Sequence, residues 1–485
     1  MGKKFLSVLF AAALMFTSSP VLAADWYPEH EYDPAKFKVM LQEGRPFLNF
    51  SMVTSNLFPT ETAKENWKGI LGQYHCKTLV KNPCILSPRT DVSARMVAPL
   101  CSGSEVNCIR EFFAVTPSGK VKAKFLGYQN PQTVPANPRL GIRGRGKSTS
   151  LWNIPGVLNS AGTSTYAVTV SYYLTQRTTT MGIGSFRTNI TPYAEQPDER
   201  AENIKVYSYK KDGLPWVTWD GPVEGCAWVK KSVCGRAVEF GTGSRFGLDL
   251  RFENQFTNWF GGRMTDIDLS VKELPNDSKS IRIIAAPVEV PIFSFSLPRE
   301  STLSKLKKID GFETDSWIRG LWLDSDSESA MQVLDQFRSE ANDTAASTMK
   351  FWSFSNISWG SATACASDPY QILGLVSTNA MAYQPDPPKF KAGFLNYEVS
   401  GLHMLPGGET TLGSYDLLIR SSVASCLYGF GSAPLSASVS VVNDQGGKTF
   451  ATTTFGQKDG WLKLSAKGFT FSKKTIKVKI TKAKR

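Results

Sequence analysis

The clearest pattern in the chain runs from Arg245 to Lys272. Phe246, Leu248, Leu250 and Phe252 alternate with Gly247, Asp249, Arg251 and Glu253, and Ile267, Leu269 and Val271 alternate with Asp266, Asp268, Ser270 and Lys272. Side chains on a strand point to opposite faces with period two, so each run predicts a strand with one buried and one wetted face. The same idiom recurs at 120–128, 166–174, 204–209, 216–219, 226–240 and 281–293. Asp212-Gly213, Asp220-Gly221-Pro222 and Asn276-Asp277 punctuate these runs as turns.

One segment departs from it. Across 327–341, Val333, Phe337 and Ala341 recur every four residues, and Asp324, Asp326 and Glu328 crowd the start, where a helix dipole favours negative charge. Strand alternation resumes at 349 and again after the Pro-rich break 384–389, with runs at 394–402, 411–421, 434–442, 448–454, 461–464 and 475–481. The predicted class is mainly β: several antiparallel sandwich or jelly-roll-like domains, one short helical insertion near 327–341, and a C-terminal immunoglobulin-like sandwich. The expected organisation is a cysteine-rich β region at 24–140, a β-sandwich at 141–298, a mixed region at 299–392 and a basic β-sandwich at 393–485.

Residues 1–23 read as a signal peptide. Lys3 and Lys4 precede a short apolar run, and Val21-Leu22-Ala23 supplies small residues at a cleavage site before Ala24. The apolar run is too short to span a bilayer, and no later run predicts a transmembrane segment. The expected location is secreted, extracellular or associated with the cell envelope. Removing the leader takes the formal charge from +13 to +11. A basic excess suits anionic cell-wall polymers or glycans, and it also serves solubility; another envelope protein is the alternative partner, and no nucleic acid is expected.

Eight cysteines in an exported chain predict disulfides: Cys76, Cys84, Cys101, Cys108, Cys226, Cys234, Cys365 and Cys426. The close couples are 76/84, 101/108 and 226/234, which leaves 365 with 426. No pair has C-x-x-C spacing, so no metal or other cofactor is expected.

Catalytic signals are sparse. Gly141 to Ser148 is a literal G-x4-G-K-S phosphate loop, but a Pro-rich linker precedes it and Pro155 follows too soon for the helix that such a loop needs. Its Arg143, Arg145 and Lys147 remain candidate anion contacts. His30, His75 and His403 lie near no nucleophile elbow, since the chain has no G-x-S-x-G. If strands 245–253 and 264–272 paired as a hairpin, Arg251 would face Asp268 and Glu253 would face Asp266, a carboxylate pair of the kind glycan hydrolases use. Asp324 to Glu328 resembles the start of a calcium loop but has Ser329 where glycine is required, so helix capping is the preferred reading. Trp216, Trp219 and Trp259 lie in or beside predicted turns and are candidate ligand-contacting rings. After Asp459 every charged residue is basic, and the lysines around Ile476, Val478 and Ile480 suggest an edge strand guarded against aggregation. The function expected is a disulfide-stabilised binding or structural protein of the envelope or extracellular space with no identifiable catalytic centre. The alternative is a glycan-active hydrolase using the 245–272 carboxylates.

Overall fold

The structure, a computed structural model, describes residues 35–42, 57–59, 73–74, 92–128, 136–137, 142–143, 149–177, 180–198, 206–211, 214–219, 226–309 and 320–482. The last two spans have breaks at 231, 254–257, 276–277, 358–364, 366–370, 385–387, 392–393, 429–434, 444–447, 451 and 472–473. The expected signal peptide lies outside the described residues.

The chain is mainly β, as its alternation implies, and the sheets stack in layers. The widest sheet has the hydrogen-bonded order Leu57–Pro59, Val92–Val97, Thr165–Arg177, Thr180–Pro197, Ser347–Ile357, Asn258–Arg263, Ile372–Thr378, Leu412–Arg420, Trp461–Thr470, Thr452–Lys458. A smaller sheet covers one face of it, in the order Thr265–Leu274, Ser278–Ala286, Arg245–Glu253, Cys108–Thr116, Gly119–Lys122. Phe112, Phe246, Leu250 and Ile283 from the smaller sheet meet Tyr166, Phe186, Phe354 and Leu375 from the wide one, and all are buried. A third sheet, containing Phe394–Ser400, Lys474–Lys482 and Leu435–Asn443, lies on the opposite face, where Leu395, Ile476 and Val478 pack against Leu417, Ile419 and Leu464.

Strands in the middle layer are therefore buried on both sides. Ile372–Thr378 is buried at every residue and pairs in parallel with Asn258–Arg263. Such strands read as unbroken apolar runs, because neither face meets water. The C-terminal sandwich shares this layer: its Leu412–Arg420 strand hydrogen-bonds to Ile372–Thr378, across the boundary expected at 393.

A separate three-stranded sheet, Ser294–Pro298, Lys36–Gln42 and Gly320–Asp324, carries the helices Arg299–Leu306 and Glu328–Phe337. A third helix, Ser421–Tyr428, packs on the wide sheet, so the single helical insertion expected near 327–341 is one of three among the described residues. The helix Glu328–Phe337 buries Val333, Leu334 and Phe337 in a core shared with Phe37, Val39, Leu321 and Ala382. Ala330 N–H donates to the Ser327 hydroxyl at 3.1 Å, so the acidic run starting at Asp324 ends in a helix cap.

Two sequence expectations are corrected here. Arg245–Glu253 and Thr265–Leu274 do not pair; Ser278–Ala286 lies between them and hydrogen-bonds to both. The chain between them forms Asn258–Arg263, which crosses into the wide sheet, so no tight hairpin joins the two runs. Glu253 bonds Asn107 instead, Arg251 donates to the Gly103 carbonyl, and Asp266 lies near Lys467. The carboxylate pair of the hydrolase alternative is thus not assembled. Second, Lys474–Lys482 is no edge strand, because it pairs with Phe394–Ser400 on one side and Leu435–Asn443 on the other.

Three disulfides join Cys101 to Cys108, Cys226 to Cys234 and Cys365 to Cys426, the pairings expected from spacing. The 226–234 bridge is not between directly opposite residues. A bulge sets Cys226 across from Arg236, and the Cα atoms still lie 5.5 Å apart. Cys76 and Cys84 lie outside the described residues.

Candidate functional site

The wide sheet extends beyond the smaller one that covers it, and a cleft opens along that margin. Thr265–Leu274 is an edge strand of the smaller sheet. At its start it is tied down: Thr265 hydroxyl donates to Asp416 at 3.0 Å, and Lys467 reaches Asp266 at 3.3 Å. Asp266 has φ 51° in a bulge, a left-handed conformation that aspartate tolerates better than most residues. Arg245 fastens the bulge by donating to the Asp266 carbonyl and to the Asp268 carboxylate, the latter at 2.8 Å.

Past this anchor the edge strand and the wide sheet diverge around a cavity of about 330 Å³. Ile267, Asp268, Leu269 and Ser270 line one side, joined by Arg282 and Ile284 of the neighbouring strand. Leu418, Trp461 and Lys463 line the other side, with Gly456 to Asp459 rising from the tip of a hairpin. That hairpin turns on two residues, Asp459 with φ 51° and Gly460 with φ 78°, flanked by the pair Lys458 and Trp461. Positive φ at both central positions is the twist-matched two-residue turn that Asp-Gly favours.

The cleft walls are fixed by their own contacts. Trp461 is buried, and the Arg420 guanidinium lies 4.9 Å over its ring. Arg420 also donates to the Ile372 carbonyl. Arg282 is held by Asp249, itself buried, through a 2.8 Å bond. Just behind the cleft, Asp416 accepts from Ser465 and Thr265; burial raises its pKa, and those two bonds work against the rise.

The sequence-predicted site residues lie elsewhere. Trp259 is 2 % exposed, not a ring beside an open turn: it sits on a central strand of the wide sheet, packed against Gly374. Its Trp-Phe pair alternates faces, with Phe260 in the core on the other side. Trp216 and Trp219 belong to the strand Leu214–Trp219, paired with Val206–Lys211, and their side chains lie outside the described residues. Arg143 ends the short strand Ile142–Arg143; its side chain, Arg145 and Lys147 are likewise outside them. The phosphate-loop match is followed by a strand, Ser150–Asn153, where the motif needs a helix. His403 contacts the Phe471 carbonyl at 2.7 Å, a structural role at a turn. Asp198, Cys226 and Cys234 cluster as metal ligands would, but both sulfurs are in a disulfide.

One wall of the cleft, Ile267 to Ser270, belongs to the alternating run visible in the sequence, although Asp268 pairs with Arg245 rather than Arg251; the other wall carries a single local signal. Asp459-Gly460 between two alternating runs marks a hairpin with a tryptophan and lysines beside its turn. What the sequence does not show is that this tip meets strand 265–274, nearly two hundred positions earlier.

Comparison with known proteins gives no family: no protein-family model, no curated protein and no solved structure matches the chain. Among the described residues, no helix is long and apolar enough to cross a membrane.

Proposed function

We propose that this chain is an exported, disulfide-stabilised binding protein of the cell envelope or extracellular space, and that its partner is an anionic wall polymer or glycan. Three disulfides suit an oxidising compartment. The observation that carries the reading is a polar row across the third sheet. Register places Lys389, Asn396, Lys477 and Ser440 side by side on four strands. The alternate residues Leu395, Tyr397, Ile476 and Val478 face the core, so Lys389, Asn396 and Lys477 face outward. Lys389 and Lys391 are exposed and Lys477 is partly so. Two lysines set two strands apart on one sheet face present more than one cation to a repeating anionic chain.

The test is retention of the mature protein on whole cells and on insoluble acidic polysaccharide. Release by salt supports the reading, and a Lys389→Gln/Lys477→Gln double variant is expected to elute at lower salt. No retention at physiological salt would overturn it.

A further inference from the structure

We infer that the cleft between the 265–274 edge strand and the 452–470 hairpin is a binding site for a short acidic saccharide, one or two uronic acid rings. The inference rests on the glycan-binding reading above and names a second, separate subsite for it. A cavity of about 330 Å³ is at the small end of ligand pockets, roughly 300–1,000 Å³, and so holds a ring or two rather than a length of polymer. Its lining is mixed in the way a pyranose requires. Ile284 is partly exposed and offers apolar surface for the C–H face of a ring, above a floor made by the nearly buried Leu418 and Trp461. Ser270, Gln457 and Asp459 offer donors and acceptors for hydroxyls.

The charge pattern favours an acid: beside the paired Asp268 and Arg282, the lining carries Lys458 and Lys463 against one further carboxylate, Asp459. Asp268 is paired with Arg245, and Arg282 with Asp249. Lys463 is different: among the described residues no carboxylate ion-pairs with it, although its charge is felt by Asp416 behind it. Lys463 stands directly opposite Leu418 on one side and Gly456 on the other. The glycine puts no side chain beside the lysine, and a Cβ there would meet nothing within 4 Å. An uncommitted ammonium between an apolar residue and an open glycine is positioned for a ligand carboxylate. The wall does not need to reorganise, since Trp461 is already clamped by Arg420 and the edge strand by Arg245.

The experiment is calorimetric titration of the full mature chain with trigalacturonate and with its methyl ester, which keeps the rings and removes the charge. Trigalacturonate is expected to bind at least about tenfold more tightly than the ester, and Lys463→Gln to erase that preference. Gln457→Ala, on the exposed hairpin tip, is a second variant that leaves the core untouched and is expected to weaken both ligands. Lys308→Gln, at an exposed position just after the helix Arg299–Leu306 on the separate three-stranded sheet, should leave both affinities unchanged. Absence of trisaccharide binding, or binding indifferent to Lys463→Gln, overturns the cleft assignment even if polymer retention persists. Loss of polymer retention with trisaccharide binding intact would instead sink the outer-row reading alone.

Discussion

Trp259 and Gly374 stand directly opposite across a parallel strand pair, and a Cβ on Gly374 would lie 2.2 Å from the indole ring. The ring lies over the glycine because that position has no side chain. Three further cross-strand pairs repeat the arrangement: Trp228 with Gly235, Phe113 with Gly247, and Phe469 with Gly413. Glycine weakens a strand by its entropy and its missing side chain, and an aromatic ring from the next strand restores the lost packing.

Gly374→Ala is therefore expected to cost roughly 1–3 kcal/mol, since the ring and the Leu418 carbonyl, 2.7 Å from the same Cβ, leave no direction of relief. Gly456→Ala, with open space at its Cβ, should stay within about 0.5 kcal/mol. Chemical denaturation of both variants measures the contrast, and equal effects would contradict it.

The disulfides should contribute unequally. Cys365 and Cys426 are separated by 61 positions, against 7 and 8 for the other two described bridges. By chain entropy the long loop is worth about 4 kcal/mol and each short one about 2.5 kcal/mol. Paired Cys→Ser variants compared by thermal unfolding should show the larger loss for 365/426. The reverse order would mean that the chain-entropy argument fails here.

Glu239 gives a pH dependence of defined sign. Burial raises its pKa from 4.5 to about 7, Glu289 adds to the rise, and the Lys350 backbone N–H at 3.1 Å together with the Lys350 charge opposes it. Between those two values the folded state holds a proton that the unfolded state has lost. Stability therefore falls as pH rises through that window and levels off above it, by an amount on the order of 1–3 kcal/mol. Unfolding free energies at pH 5 and pH 8 should differ less for Glu239→Gln than for the parent by that margin. An identical pH dependence in both would refute the assignment.

The individual strands were legible because alternation is local. The run predicted at 475–481 is the strand Lys474–Lys482, and the run at 166–174 lies within Thr165–Arg177. The helix was legible for the same reason, with Ser327 as its cap. Which strand lies beside which was not legible. The runs at 245–253 and 265–274 look like a hairpin, yet each chose Ser278–Ala286 as its neighbour. Apolar alternation says which face a strand buries but not against which sheet, and Leu248 and Leu269 serve the same core from non-adjacent strands. Trp259 shows the same limit: a loop-flanking tryptophan and a core tryptophan have the same local sequence. The cleft depends wholly on non-local placement, since Ile284 and Trp461 meet only once two sheets are stacked.

The most direct test of the binding account is the affinity of the mature chain for a polyuronate-coated surface across a salt series from about 0.05 to about 0.5 M, where screening lengths shrink to a few ångströms. The expected result is an affinity that falls steadily with salt, with a shallower dependence in the Lys389→Gln/Lys477→Gln variant. An affinity insensitive to salt, or an unchanged dependence in the variant, would contradict the outward lysine row as the binding surface.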